Sequence, residues 1–342
     1  MDKDFRKMVE PAWRRLIHTY GGDPLPRFYS ARRDRSAAPR LAYLWGFGAV
    51  LAAAGAVCAV PGGQTLVAGD LPFLTQTLAT YRRPLRRGLS STARGSDRFP
   101  GDAFYDDNAW VGLAAQDLSA DFAEWRLTAE NAYRFVLEGF DRRSGGVFWK
   151  ERPKSSLHVC STGPALVLGA RLALAAVPDV RREPLAAMLA WLRAMQAPDG
   201  RYWDHREGAD GRIDRAFYTY NSGTPLQAMA ILHTMGGFDV EHDVRRALDG
   251  VSRFLDDQGH LPPTPWFNAV LLRGLLAVQA VFGWESAATS AMGHALAEAA
   301  RGFVAGSEPL MLFQDRRAEG PSLREAAASV EILARLAAGD GG

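Results

Sequence analysis

The chain has 342 residues, 47% of them hydrophobic, enough for one large domain or two ordinary ones. Its net charge is only +2, and its basic residues, almost all arginine, are scattered along the sequence; both facts exclude a strong field for nucleic acid or an anionic membrane. Cys58 and Cys160 sit in apolar stretches with no C-x-x-C pair, which excludes a disulfide framework or a cysteine metal site and predicts two buried thiols.

In chain order, the first predicted element is a charged amphipathic helix near 3–20. It lacks the apolar core of a secretory signal, so the expectation is a cytoplasmic protein. An uncharged run from Leu41 to Gly69 follows, preceded by Arg32, Arg33, Arg35 and Arg40. It is long enough to span a bilayer with positive flanks. It is mostly Ala and Gly, however, which partition weakly into lipid. The reading is a helix near 40–59 buried on every side, with no membrane insertion. From there two kinds of helix alternate. Amphipathic, charged helices are predicted near 64–83, 121–139, 182–196, 241–257 and 285–304. Helices apolar nearly all round are predicted near 107–119, 157–177, 220–235, 265–282 and 322–337. Strand signals are poor, because few runs alternate with period two.

A helix with one wet face belongs on an outer ring, and a helix apolar on nearly every side belongs on an inner one. Six helical hairpins closing on themselves make an all-α (α/α)6 barrel, here a single domain over residues 1–342. An open helical solenoid is the alternative. Gly46, Gly48, Gly55, Gly163 and Gly169 in the inner helices suit close packing. In such a barrel the loops entering the inner helices gather at one end. Those loops, 101–110, 144–158, 215–223 and 260–268, are rich in aromatics, Asn and acids. That mixture suits a sugar, which offers apolar C–H faces and a ring of hydroxyls.

The sharpest feature is Tyr105-Asp106-Asp107-Asn108-Ala109-Trp110. Consecutive acids at a helix start place their carboxyls roughly 5–7 Å apart, close to the ~5–5.5 Å of a retaining glycosidase. Two close carboxylates also repel, which raises the pKa of one of them. Capping is the competing role, since acids are favoured in a first helical turn. Asp102, Glu151, Asp204 and Asp214 are rival acids; Glu151, between Lys150 and Arg152, suits a surface ion pair. His158 and His205 suit structural or substrate hydrogen bonds, and no metal or cofactor is expected.

YDDNAW, then GGVFW, then C-S-T-G-P-A-L, then YTYNSG, spread over residues 40–283, resemble glycoside hydrolase family 76, the endo-α-1,6-mannanases. The resemblance implies an (α/α)6 fold and a retaining, metal-free hydrolysis of α-mannan. It also implies Asp106 as nucleophile and Asp107 as acid/base. Tyr105, Asn108, Trp149, Tyr220, Asn221 and Trp266 would bind the oligosaccharide or polysaccharide substrate, with Trp110 beside them. Thr162 stands where the family usually has Asn, and Ser222 where it usually has Gln. Both departures are placed on substrate loops. A transglycosylase or an inactive carbohydrate-binding barrel would use the same scaffold, and the oligomeric state is left open.

Overall fold

Phe5, Met8, Val9, Ala12, Trp13, Leu16 and Tyr20 form one buried stripe at helical spacing along α1 (Phe5–Tyr20). The next helix, α2 (Leu44–Cys58), has no such stripe. Twelve of its fifteen residues are buried, so it has no wet face to offer solvent. The computed structural model describes residues 5–22, 27–30, 40–178, 180–303, 308–312 and 322–339. The predicted flank of Arg32, Arg33 and Arg35, residues 3 and 4 of the first predicted helix, and residue 304 lie outside them.

The alternation continues through α3 (Gly63–Ala79), α4 (Tyr105–Leu118), α5 (Trp125–Glu138), α6 (Val159–Leu174) and α7 (Arg182–Ala194). It ends with α8 (Thr219–Met235), α9 (Glu241–Ser252), α10 (Pro265–Phe282), α11 (Ala287–Phe303) and α12 (Leu323–Gly339). The even-numbered helices form the inner ring: α2 packs on α4, α4 on α6, α6 on α8, α8 on α10, α10 on α12, and α12 back on α2. That last contact closes the circle and rules out the open solenoid. The odd-numbered helices lie outside. The fold is an (α/α)6 barrel.

Two features hold the inner ring tightly. The backbones of α8 and α10 nearly touch: a Cβ on Gly274 would run into the Gly223 carbonyl oxygen, so only glycine fits there. Toward the C-terminal ends of α4, α6 and α12 lies a buried charge network. Arg273 grips Glu331 with two bonds of 2.6 and 2.7 Å, and Arg335 donates to Glu331 at 2.7 Å and to Asp117 at 3.3 Å. Arg171 reaches Asp117 at 2.5 Å. Burial alone would raise Asp117, but Arg171 and Arg335 outweigh it and pull it down to about 2. Glu331→Gln leaves Arg273, 7% exposed, without its counter-charge. The expected cost is about 3–5 kcal/mol of unfolding free energy, read from a denaturant titration; a loss under about 1 kcal/mol would contradict a buried pair.

Three short strands were not legible in the sequence. β1 (Ser156–His158), β2 (Trp203–Glu207) and β3 (Ile213–Phe217) form an antiparallel sheet in that order. Runs of three to five residues are too short to show a period of two; β1 is buried throughout, while β2 and β3 are only partly covered. The register sets His158 opposite His205, and a bulge interrupts β2 between Trp203 and His205.

Candidate active site

Five inner helices contribute their N-terminal ends to one cleft of about 700 Å³. Tyr43 and Trp45 come from the start of α2, Asp106, Asp107 and Trp110 from α4, His158 and Cys160 from α6. Tyr218 and Tyr220 come from α8, and Trp266 and Phe267 from α10. Convergent helix N-termini present positive dipole ends, which favour anionic groups on the cleft floor.

Aromatic rings form both walls. On one side Trp266 meets Trp45 and Trp110 edge-on, with ring centres 5.3 and 5.0 Å apart, and Tyr220 stacks on Phe267 at 4.3 Å. On the other, Phe104 packs against Trp149 at 4.8 Å, and Trp149 stacks on His158 at 5.3 Å. Flat apolar faces on two sides and acids between them match the amphipathic surface of a pyranose chain.

The two acids sit in different surroundings. Asp106 accepts hydrogen bonds from the Asp107 backbone N–H (2.9 Å), the Trp149 indole (3.2 Å) and the Cys160 thiol (3.6 Å). Burial raises its carboxyl to about 6, with those donors holding it back. Asp107 accepts no hydrogen bond among the described residues. Burial and the neighbouring Asp106 charge push it well above the ordinary carboxylate range. The pair shares its titration, and the proton resides on Asp107 while Asp106 carries the charge.

Asp204 is a further carboxylate in the cleft. The β2 bulge turns it toward the cleft, where Asn221 Nδ2 donates to it at 3.0 Å and His205 Nδ1 lies 2.8 Å away. Sequence reading had it only as a rival acid, because its signal, a bulged hairpin, has no periodicity to detect. His158, Asp204 and His205 bring possible ligand atoms within 4.8 Å of one another. The two imidazoles, however, are stacked 4.4 Å apart and 8° from parallel, so their in-plane lone pairs run side by side instead of meeting at one point. His205 is also held by Asp204 and Glu207. This is a poor metal cage and a good rigid wall.

Of the residues expected to contact substrate, Trp149, Tyr220, Trp266 and Trp110 line the cleft. Three other predicted contacts are corrected. Tyr105 is 1% exposed and packs on Phe135 instead; helical geometry turns it away from the face that carries Asp106. Asn108 is buried too, bonding the Leu89 N–H (2.7 Å) and the Phe104 carbonyl (2.8 Å), so it pins a loop at the mouth. Asn221 is fully buried and acts through Asp204. Thr162 and Ser222 are likewise fully buried in α6 and α8, with Thr162 accepting from the Val147 N–H, so neither lies on a substrate loop. Glu151 pairs with the buried Arg83 at 2.6 Å, not with its sequence neighbours at the surface.

Glycosyl hydrolase family 76 matches residues 27–272, most of the chain. The chain belongs to that family. Among solved structures, a family 76 glycoside hydrolase from a bovine Bacteroides thetaiotaomicron strain superposes with a TM-score of 0.86. The match covers 99% of this chain and 78% of that one at 21% identity. An α-1,6-mannanase of Salegentibacter sp. HEL1_6, in an inactive variant with two consecutive aspartates changed to asparagine, is bound to α-1,6-mannotriose. It superposes with a TM-score of 0.75, covering 98% and 99% of the two chains at 17% identity. Meiotically up-regulated gene 191 protein of Schizosaccharomyces pombe is 30% identical over 155 residues, which are 40% of this chain and 35% of that protein. The family 76 match includes both aspartates and every inner helix from α2 to α8.

Proposed function

We propose that this family 76 protein is a retaining glycoside hydrolase of α-mannan, acting on α-1,6-linked mannose chains. The observation that carries the reading is the adjacent pair of acids with unequal surroundings. Asp106, ionised and aligned by three donors, attacks the anomeric carbon and forms a glycosyl ester as the glycosidic C–O bond breaks. Asp107, protonated in the resting state, gives its proton to the departing oxygen. It then takes a proton from the water that attacks the ester, releasing Asp106 and restoring the start. Each displacement inverts the anomeric carbon, so two retain it. The aromatic walls hold the sugar faces, and Asp204 is placed to accept a hydroxyl hydrogen bond. The substrate class is supported by the mannotriose bound to the Salegentibacter relative.

The test is time-resolved NMR on a panel of α-mannan oligosaccharides. The α-anomer is expected first, from α-1,6 chains in preference to other linkages. A β-anomer formed first would exclude the double displacement. Longer chains appearing among the products would show that the same intermediate passes to a sugar acceptor.

A further inference from the structure

The arginines that look scattered in sequence are not scattered in space. Residues 82–102 and 150–154 carry nine Arg and Lys against three Asp and Glu, in a chain whose net charge is +2. The fold folds these two loops around one hollow of about 540 Å³ beside the start of α4.

Arg83 is the anchor. It is 8% exposed and donates to the carbonyls of Gly88 and Arg87 and, at 2.6 Å, to Glu151. With the antiparallel bridge between Arg82 and Leu89, these bonds fix the turn. The other arginines are thereby displayed to solvent. Arg87 meets Glu138 at 3.3 Å, but Arg86 and Arg152, both lining the hollow, have no hydrogen-bond or ion-pair partner among the described residues. The hollow shares Gly101 and Asp102 with the catalytic cleft, and Arg98, whose backbone is bonded but whose guanidinium has no partner among the described residues, lines the cleft itself. Asp102 does not cancel them, since Lys150 holds it at 3.2 Å. Among the described residues, three guanidinium forks thus stand unpaired along one margin of a cleft that otherwise recognises a neutral sugar.

Unpaired arginine forks match the several oxygens and the negative charge of a phosphate ester better than a neutral hydroxyl or the two oxygens of a carboxylate. We propose that the hollow is a subsite for a phosphate group carried by the glycan substrate. The proposal rests on the glycosidase reading and adds to it an anionic substrate class. Phosphate reaches such a site either on a soluble phosphorylated glycan or on a lipid headgroup bearing the glycan. Leu85, fully exposed at the tip between the two arginine pairs, suits the second source.

The experiment compares α-1,6-mannotriose with the same sugar bearing a phosphomonoester. Binding to the full chain is read by calorimetry, and turnover is read separately. The phosphorylated ligand is expected to bind about tenfold more tightly at low salt. Inorganic phosphate should compete with that gain, and Arg86→Ala/Arg152→Ala should erase it while leaving the neutral sugar's Kd and turnover unchanged. Equal affinity for the two ligands, or a preference that survives in the double variant, overturns the subsite. Because the neutral sugar is measured alongside, failure of the subsite is separable from failure of the glycosidase reading, in which neither sugar is turned over. Sedimentation with mixed phosphatidylcholine and phosphatidylglycerol vesicles separates the sources. Cosedimentation that the double variant loses supports a lipid headgroup; preference for the phosphorylated sugar without cosedimentation supports a soluble glycan.

Discussion

Asp106→Ala is expected to lower kcat on α-1,6-mannan chains by on the order of 10⁴-fold, with little change in substrate affinity. The other cleft carboxylates are engaged or biased to the neutral form: burial and Asp106 push Asp107 upward, Asp204 is held by Asn221 and His205, and Asp102 is held by Lys150 at 3.2 Å. Azide makes the assignment decisive. A small anion entering the space left by the Asp106 carboxylate attacks the anomeric carbon from the nucleophile's side, displacing the leaving sugar once. The product is then a β-mannosyl azide. If instead the Asp107 variant gives the inverted azide and the Asp106 variant does not, the two roles are exchanged.

Asp107→Ala is the second large effect, and it depends on the leaving group. With a mannose chain, whose departing alkoxide needs a proton, turnover is expected to fall by about 10³-fold. With an aryl mannoside of low leaving-group pKa the first displacement needs no proton, so most of its rate returns while the intermediate accumulates. The pH profile supplies an independent reading. The proposed mechanism needs Asp106 ionised, so activity is expected to fall as pH drops through about 6. It also needs Asp107 protonated, so activity is expected to fall again as pH rises through that group's raised value. In Asp107→Ala the alkaline limb should vanish and the acid limb should remain. An alkaline limb that persists would assign it to another group.

How much of this was legible beforehand follows from the physics of each signal. The two kinds of helix were readable because an inner helix such as α2 and an outer one such as α1 bury different fractions of their surface. Asp106 and Asp107 were readable because the pair is contiguous. Tyr105 and Asn108 were misplaced for the same reason: a motif lists neighbours, but a helix turns each by about 100°, so only some share the cleft face. Asp204 was legible only as one of several rival acids, and the arginine hollow was out of reach. One depends on a strand bulge, the other on two loops that lie far apart in sequence and meet only after the ring has closed.

That closure has a consequence for synthesis. The apolar α2 emerges from the ribosome well before one of its two inner neighbours, α12, which follows all the other described helices in the chain. The bond between Arg335 and Asp117 spans 218 residues, and the one from Arg6 to the Ala337 carbonyl spans 331. Until α12 arrives, the nascent chain carries an unsealed oily seam along the side of α2 that α12 will cover. Contacts of such long range form slowly, and exposed apolar surface invites association meanwhile. A chain released before α12 is complete would therefore keep most of its described helices and both cleft aspartates, but not a finished circle to hold them.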